Sequence, residues 1–298
     1  MSDKPGFTVD LDCRPEVVPF FDEDTNTFSY VVKDPSSSAC AVVDSVMEID
    51  YAAGRLSCAG ADKIVEYIRD HGLQLEWLIE THVHADHLSA APYIQERLGG
   101  KIGIGEHIVT VQETFGKIFN SGTEFERDGS QFDRLFSDGD SYFVGGMECH
   151  AMHTPGHTPA CMTHVMGDAA FVGDTLFMPD GGTARADFPG GDARTLYRSI
   201  HKVLSLPDSV RLFMCHDYMP GGRAVEFETC VGDERRDNIH VGGGVTEDDF
   251  VAMREERDAT LGMPRLILPS LQVNMRAGHL PPGEDNGTVY LKLPLNVL

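Results

Sequence analysis

The sequence is poor in three features that mark common classes of protein: paired cysteines, basic residues and long apolar runs. The seven cysteines are scattered, odd in number and never spaced C-x-x-C, which argues against a disulfide framework and a structural zinc ribbon. No apolar run approaches the roughly 20 residues that a bilayer span requires. Residues 1–7 are polar and lack the apolar segment of a secretory signal. We therefore expect a cytoplasmic protein without a membrane partner.

Basic residues are scarce relative to acidic ones. The chain has 24 lysines and arginines against 47 aspartates and glutamates, and its formal net charge is −23. Because no basic stripe is present to neutralise phosphates, we expect no nucleic-acid partner. An anionic substrate would be repelled at long range unless local arginines focus the field at its binding site.

What is present is an alternation of strand-like and helix-like segments, which is typical of an α/β protein. Strands are predicted at residues 28–33, 39–44, 75–80, 147–152, 162–166, 169–172 and 211–215. Helices are predicted at residues 61–71, 90–98 and 195–204, and after a cap at Thr246. From about residue 224 the pattern thins. We therefore predict one domain over residues 1–298, with residues 224–298 as an extension packed on its core.

The strongest chemical signal is the segment T-H-V-H-A-D-H at residues 81–87, directly after a predicted strand. His82 and His84 are two residues apart on an extended segment, so their imidazoles point the same way. A turn would bring Asp86 and His87 to an adjacent point. A lone buried histidine is usually a satisfied core residue, but this many polar groups in one short segment are costly to bury without a ligand. Imidazole and carboxylate are ligands of zinc and iron.

Three further candidate ligands follow later predicted strands. His157 lies in the turn T-P-G-H-T, Asp174 ends the segment F-V-G-D-T, and His216 begins H-D-Y. Strand ends are where α/β folds collect functional side chains. Taken singly, His157 and His216 are as well explained as structural residues, but as a set they favour a metal centre.

The order of these motifs resembles the metallo-β-lactamase superfamily: H-x-H-x-D-H, a lone histidine, an aspartate and a last histidine, over about residues 25–220. The resemblance implies an αββα sandwich, in which two mixed β-sheets lie face to face and are flanked by helices. It places the metal at one edge of the sandwich.

Later segments resemble the persulfide dioxygenases of that superfamily. They are G-G-T-A-R-A-D-F-P-G-G at 181–191, T-L-Y at 195–197, H-D-Y at 216–218, D-E-R at 233–235 and N-M-R-A-G at 274–278. The resemblance implies one Fe(II) per chain, held by His82, His157 and Asp174, a facial triad that leaves positions open. The implied reaction oxidises glutathione persulfide with O2 to sulfite and glutathione.

The same resemblance assigns roles to the residues around the triad. Ligand orientation and water binding are expected of His84, Asp86, His87 and His216. Tyr218 is expected to donate a hydrogen bond at the iron and to contact substrate. Arg185 and Arg235 are candidates for contacting glutathione carboxylates. The plain alternatives are exposed or structural ion pairs for the arginines and a satisfied buried hydroxyl for Tyr218.

Two other functions stay open at this stage. In hydrolytic relatives the positions around the triad hold a second metal, so the residue types also allow a glyoxalase II-like thiolester hydrolase with two Zn(II). A non-catalytic binding protein would have lost ligands, and here all seven positions are filled. Ala184, Ala186 and His240 depart from the dioxygenase pattern, which affects the substrate pocket rather than the metal. A homodimer is expected from the habit of the family, and a redox role of Cys161 or Cys215 is left open.

Overall fold

Two six-stranded sheets form the centre of the computed structural model, which describes residues 6–297. Residues 1–5, which belong to the segment expected to lack a signal, lie outside the described residues. No helix in the described range is both long and apolar enough to cross a membrane.

The first sheet is mixed, with its first three strands antiparallel and the rest parallel. In spatial order its strands are β1 (Glu16–Asp22), β2 (Thr27–Lys33), β3 (Ala39–Val43), β6 (Gln74–Ile79), β8 (Lys101–Gly105) and β9 (Arg134–Phe136). Strand β2 is buried at every position except Lys33. Its sequence is therefore apolar or small on both faces, as expected for a strand inside a layered fold.

The second sheet is also mixed, because β13 and β14 pair parallel and its other neighbours pair antiparallel. Its strands are, in order, β10 (Ser141–Val144), β11 (Met147–His153), β12 (Met162–Met166), β13 (Ala169–Phe171), β14 (Arg211–Phe213) and β15 (Glu228–Cys230). A small third sheet, not predicted from the sequence, joins β4 (Val46–Asp50), β5 (Arg55–Ser57) and β7 (Leu88–Ser89).

Helices cover the outer faces of both sheets. They are α1 (Ala59–Asp70), α2 (Ala91–Leu98), α3 (Ile108–Ile118), α4 (Ala193–Val203), α5 (Val231–Asp237), α6 (Glu247–Asp258) and α7 (Ile267–Asn274). Two short 3₁₀ turns occur at Pro220–Gly222 and Gly242–Gly244. Helix α1 illustrates the pattern: Ala61, Ile64, Val65 and Ile68 are buried at helical spacing.

Three apolar cores follow from this layering. Tyr30, Phe171 and Phe213 belong to the core between the sheets. A second core packs α1, α2, α3 and α7 on the first sheet, and a third packs α4, α5 and α6 on the second sheet. The predicted αββα sandwich with two mixed sheets is therefore confirmed.

The sequence prediction is weak in two stretches of the chain. It gave no element between residues 101 and 146, where the structure has β8, α3, β9 and β10. The second stretch lies beyond residue 224. The predicted cap is present, since the Thr246 hydroxyl accepts a hydrogen bond from the Asp249 amide at 3.3 Å. The Pro- and Gly-rich tail, however, contains helix α7, which the sequence did not predict. Its residues are almost all buried, so apolar periodicity is absent and gave no signal.

Candidate metal centre

The segment after β6, which we call the metal loop (residues 80–87), is held in place by a buried aspartate at the end of β3. Asp44 accepts hydrogen bonds from the Thr81 amide and the Thr81 hydroxyl, both at 2.8 Å. The carbonyl of Thr81 accepts from the Met162 amide of the second sheet at 2.8 Å. The loop therefore spans the two sheets at one edge, and its side chains are positioned by both.

The structure brings His82, His157 and Asp174 together. Each is buried, and one ligand atom from each lies within 4.8 Å of the others. The Asp174 carboxylate oxygen Oδ2 is 3.9 Å from His82 Nε2 and 3.5 Å from His157 Nε2. His157 Nδ1 donates to the Arg185 carbonyl at 2.8 Å, which leaves the Nε2 lone pair facing Asp174.

Two of these three side chains have buried polar atoms with no hydrogen-bond partner among the described residues, His82 Nε2 and Asp174 Oδ1. The other ring nitrogen of His82 lies 3.0 Å from the Thr81 hydroxyl. That hydroxyl donates to Asp44, so it accepts from His82 Nδ1. Uncompensated burial of such atoms is costly, and the donor set therefore fits a cation held by His82, His157 and Asp174.

Gly173 makes the approach of Asp174 to the metal loop possible. Its φ is +50°, and a Cβ at this position would lie 2.7 Å from the Thr81 hydroxyl oxygen. Only glycine adopts this conformation without strain and also allows such close contact.

A second group of donors, His84, Asp86 and His87, lies next to the first. Their ligand atoms are also within 4.8 Å of one another. His84 Nε2 donates to Asp44 at 3.0 Å, and the other ring nitrogen, Nδ1, is buried without a partner in residues 6–297, as is His87 Nε2. These atoms also fit a cation, so the geometry accommodates either one metal or two.

His216 lies between the two groups. Its Nε2 is 3.3 Å from Asp174 Oδ1 and 3.4 Å from Asp86 Oδ2. All seven donor residues named from the sequence therefore lie together at one edge of the sandwich.

Burial sets the charge state of these donors. It lowers the pKa of His82 and of His84, and neighbouring imidazoles lower both further, so these rings are neutral and ready to bind a metal. Burial alone would raise the pKa of Asp86, but His216 and His87 beside it bring that pKa well below its usual range. At His216 the effect of burial is outweighed, because Asp174 and Asp86 beside it raise its pKa. A divalent cation binds the neutral form of an imidazole, which is the form of His82 and His84.

Sequence reasoning missed three buried residues that support the loop. Asp44 holds Thr81 and His84, and Glu80 accepts from the Ser89 hydroxyl at 2.7 Å. Asn274, at the end of α7, donates to the carbonyls of His84 and His87 at 2.9 and 2.8 Å. Asp44 could have been noticed in the sequence, because it is the last residue of a predicted strand and the other donors also lie at or after strand ends. Asn274 had only its place in the motif N-M-R-A-G.

A cavity of about 330 Å³ opens beside the donors. His157, Asp174 and His216 form its floor, and Phe177, Tyr218, Arg185, Arg257 and Leu261 are among its walls. The Tyr218 ring stacks on His216, with centroids 5.8 Å apart, and is 55% exposed. The buried-hydroxyl alternative for Tyr218 therefore does not hold.

The two predicted substrate arginines lie in different places. Arg185 lines the cavity, where its guanidinium pairs with Asp187 at 2.6 Å and donates to the Gly262 carbonyl at 2.7 Å. Arg235 is not among the residues that line the cavity: it donates to the carbonyls of Leu204 and Leu206. The structure thus places Arg235 against the loop after α4, away from this cavity, and its assignment to substrate stays a prediction.

Two arginines of α6 that the sequence did not indicate also line the cavity. Arg254 is buried and pairs with Asp258 at 2.6 Å. Arg257 is the other. It projects from the exposed face of α6, lines the cavity and forms no ion pair or side-chain hydrogen bond within residues 6–297. The two cysteines near the donors, Cys161 and Cys215, are free and buried. Burial raises the pKa of Cys161 to about 12, which keeps its thiol protonated. A redox role for either cysteine stays an open prediction.

The chain belongs to the metallo-beta-lactamase superfamily, whose family model matches residues 22–216. Among its relatives, it is 59% identical over 289 residues to a probable metallo-hydrolase of Burkholderia pseudomallei, covering 94% of this chain and 98% of the relative. It is 48% identical over 274 residues to glyoxylase B2 of Dictyostelium discoideum, covering 91% and 94% of the two chains.

The resemblance to persulfide dioxygenases is confirmed at greater distance. The chain is 29% identical over 261 residues to the mitochondrial persulfide dioxygenase ETHE1 of Bos taurus, covering 87% of each. The crystal structure of ETHE1 from Myxococcus xanthus superposes with a TM-score of 0.70 at 26% identity, covering 89% of this chain and 100% of that one. The chain thus combines a metallo-beta-lactamase fold with a His/Asp cluster able to hold a metal.

Proposed function

We propose that this chain is a persulfide dioxygenase, which oxidises glutathione persulfide with O2 to sulfite and glutathione at one Fe(II). The observation that carries the proposal is the buried set of His82, His157 and Asp174, with unpartnered donor atoms beside an open cavity. Two imidazoles and one carboxylate are the donor set of non-haem iron oxygenases. The similarity to ETHE1 along most of the chain supports the same reaction.

The reaction balances with one water. The sulfur–sulfur bond breaks, both atoms of O2 go to the terminal sulfur, and water supplies the third oxygen of sulfite and the hydrogen of the released thiol. Bound iron would supply electron transfer between the sulfur and dioxygen, because the direct reaction of triplet dioxygen with a closed-shell persulfide is spin-forbidden. Zinc has no redox chemistry and would not serve.

The residues around the triad would bind and orient the reactants. His84, fixed through Asp44, and Asp86, His87 and His216 would hold water and align the ligands. Tyr218 stands at the cavity wall with its ring on His216, where its hydroxyl is available to the substrate.

Arginines at the cavity would attract the substrate. Glutathione carries two carboxylates, and the chain's own charge of −23 opposes its approach. Arg257 is free to pair with a carboxylate, whereas Arg185 must share its guanidinium with Asp187. We therefore assign the main carboxylate contact to Arg257 and a secondary one to Arg185.

A thiolester hydrolase with two Zn(II) is the second candidate. The unpartnered His84 Nδ1 and His87 Nε2, together with Asp86, would hold the second ion. The relatives named metallo-hydrolase and glyoxylase B2 favour this candidate by name. The cytoplasmic location and the homodimer stay predictions.

Oxygen uptake with glutathione persulfide separates the two functions. Protein reconstituted anaerobically with Fe(II) is expected to consume O2, form sulfite and carry one iron per chain by elemental analysis. Absence of uptake, with two zinc ions per chain and release of glutathione from a thiolester, would assign the chain to the hydrolases and make His84, Asp86 and His87 metal ligands.

A further inference from the structure

A second cavity, of about 20 Å³, lies behind the metal loop. Ala85 and Phe188 line both this cavity and the larger one that opens on the donors. The Phe188 ring packs edge-on against His157, with centroids 5.1 Å apart. The small cavity is therefore separated from the metal centre by the thickness of one or two side chains.

The sequence of the metal loop explains this arrangement. Donor and apolar residues alternate along it: His82 and His84 belong to the two donor groups, whereas Val83 and Ala85 line the small cavity. One segment thus supplies donors to the metal centre and apolar side chains to the small cavity, with Ala85 at the border of the two cavities.

The lining of the small cavity suits an apolar guest. Val111 and Phe115 of α3 and Ile267 and Leu271 of α7 are buried around it, and no charged side chain lines it. The one hydroxyl in the lining, on Thr158, is already 3.0 Å from the Cys161 sulfur. A space of about 10–15 Å³ can admit a water, but a water needs two to four polar partners, and apolar cavities without them stay dry and take guests such as xenon.

We propose that this cavity is a docking site for dioxygen beside the metal centre. The identity of the gas rests on the proposed function, whereas the affinity for a small apolar molecule rests on the lining alone. Dioxygen is uncharged, apolar and small enough for the space. Because the persulfide occupies the larger cavity on the solvent side, a separate apolar chamber supplies dioxygen without competition from the substrate.

Xenon under pressure tests the cavity in crystals of the whole chain. An anomalous peak is expected in the cavity of the wild-type protein and of the Thr110→Phe variant, which adds the same ring on the exposed face of α3. The Val111→Phe variant, which fills the cavity, is expected to lose the peak. Leu271→Phe on α7 serves the same purpose if Val111→Phe does not fold. Absence of xenon from the wild-type cavity would overturn the proposal.

Steady-state kinetics test whether the small cavity binds dioxygen. Filling the cavity is expected to raise the KM for O2 about threefold to tenfold, the change expected when the burial of one small apolar molecule is lost. The KM for persulfide and the metal content should not change. An unchanged KM for O2 in a variant that has lost xenon would overturn the assignment to dioxygen. If the wild-type protein consumes no O2 with any persulfide, the proposed function fails and the dioxygen assignment fails with it, while the xenon peak still reports whether the chamber takes an apolar gas.

Discussion

The metal centre lies next to the cavity wall that carries Arg257 and Leu261, and the two are positioned by different parts of the fold. Every donor of the metal centre lies at or just beyond the end of a strand, in segments that precede residue 217. The wall opposite it includes Arg257 and Leu261, from α6 and the segment after it. Strand ends fix the centre through backbone pairing, whereas the wall depends on how late helices pack against the sandwich.

The donors are shared with the superfamily, whereas the cavity wall is particular to this chain. The donors match a superfamily that includes hydrolases and oxygenases, so they define a metal site without defining one reaction. If the proposed function holds, the wall selects the thiol compound that reaches the metal. Substitutions in the two regions should therefore have different signatures, the metal content in one case and the substrate KM in the other.

The largest effect is expected from Asp174→Asn, which removes the anionic ligand of the triad. We expect iron to be lost and oxygen uptake to fall by at least about 100-fold, more than is typical for residues that only orient ligands. Elemental analysis and uptake rates measure this, and the circular dichroism spectrum should stay that of the wild type. Iron retained at full occupancy would contradict the triad.

Asn274→Ala is expected to affect both stability and metal affinity. It removes two hydrogen bonds to loop carbonyls and a third from the Ser89 amide, at 2.8 Å, all buried. The expected loss is about 3 kcal/mol of unfolding free energy, with metal affinity reduced about tenfold to 100-fold.

Gln272→Ala is the matched control for Asn274→Ala. Gln272 is also buried on α7, but it bonds to Leu268 and Lys292 instead of the metal loop. Denaturant unfolding and metal titration should show a stability loss in both variants and an affinity loss in Asn274→Ala alone. Equal affinity in the two would mean that α7 does not support the centre.

His84→Ala distinguishes one metal from two. If His84 orients ligands and water, activity should fall about tenfold to 100-fold while one iron per chain is retained. Metal content and oxygen uptake, measured on the same preparation, check both parts. Complete loss of iron would show that His84 is itself a ligand and would favour the dinuclear alternative.

Arg257→Gln is expected to change substrate binding and leave the metal in place. The KM for glutathione persulfide should rise about fivefold to tenfold, as for loss of one charge-assisted contact, with kcat unchanged. A persulfide without carboxylates should be unaffected. The control is Arg265→Gln, because Arg265 is exposed and does not line the cavity. It removes the same charge and should leave unchanged the KM for glutathione persulfide and the KM for the persulfide without carboxylates. A raised KM for glutathione persulfide in Arg265→Gln would indicate that the arginines attract the substrate at long range and that Arg257 makes no specific contact.

The smallest effect on activity is expected from Arg235→Gln. Because Arg235 supports the loop after α4 through the carbonyls of Leu204 and Leu206, its loss should cost about 1–2 kcal/mol of stability. The KM for glutathione persulfide should not change. A raised KM would return Arg235 to the substrate site.

The metal centre could be predicted from the sequence because its donors lie in short local motifs. His82, His84, Asp86 and His87 occupy one short segment, and the motif around each later donor marks the end of a strand. Pattern also predicted seven of the twelve strands of the two large sheets, helices α1, α2 and α4 and the start of α6, within one or two residues at many ends. It missed α3 and the strands around it.

The remainder depends on contacts between distant segments. Arg235 was assigned to substrate because it lies in a motif, but the packing of α5 turns it toward the loop after α4. Arg257 lies in an acidic, exposed helix with nothing in its pattern to indicate a cavity. Helix α7 is buried on nearly all sides and therefore shows no periodicity. None of these placements follows from local propensity.

The bond between α7 and the metal loop also sets an order of events during synthesis. When residues 1–216 have emerged from the ribosome, all seven donors are exposed to the cell, but the two loop carbonyls still lack Asn274. The two bonds that hold this part of the metal loop therefore form only after the helix that ends at Asn274 has been translated and has docked.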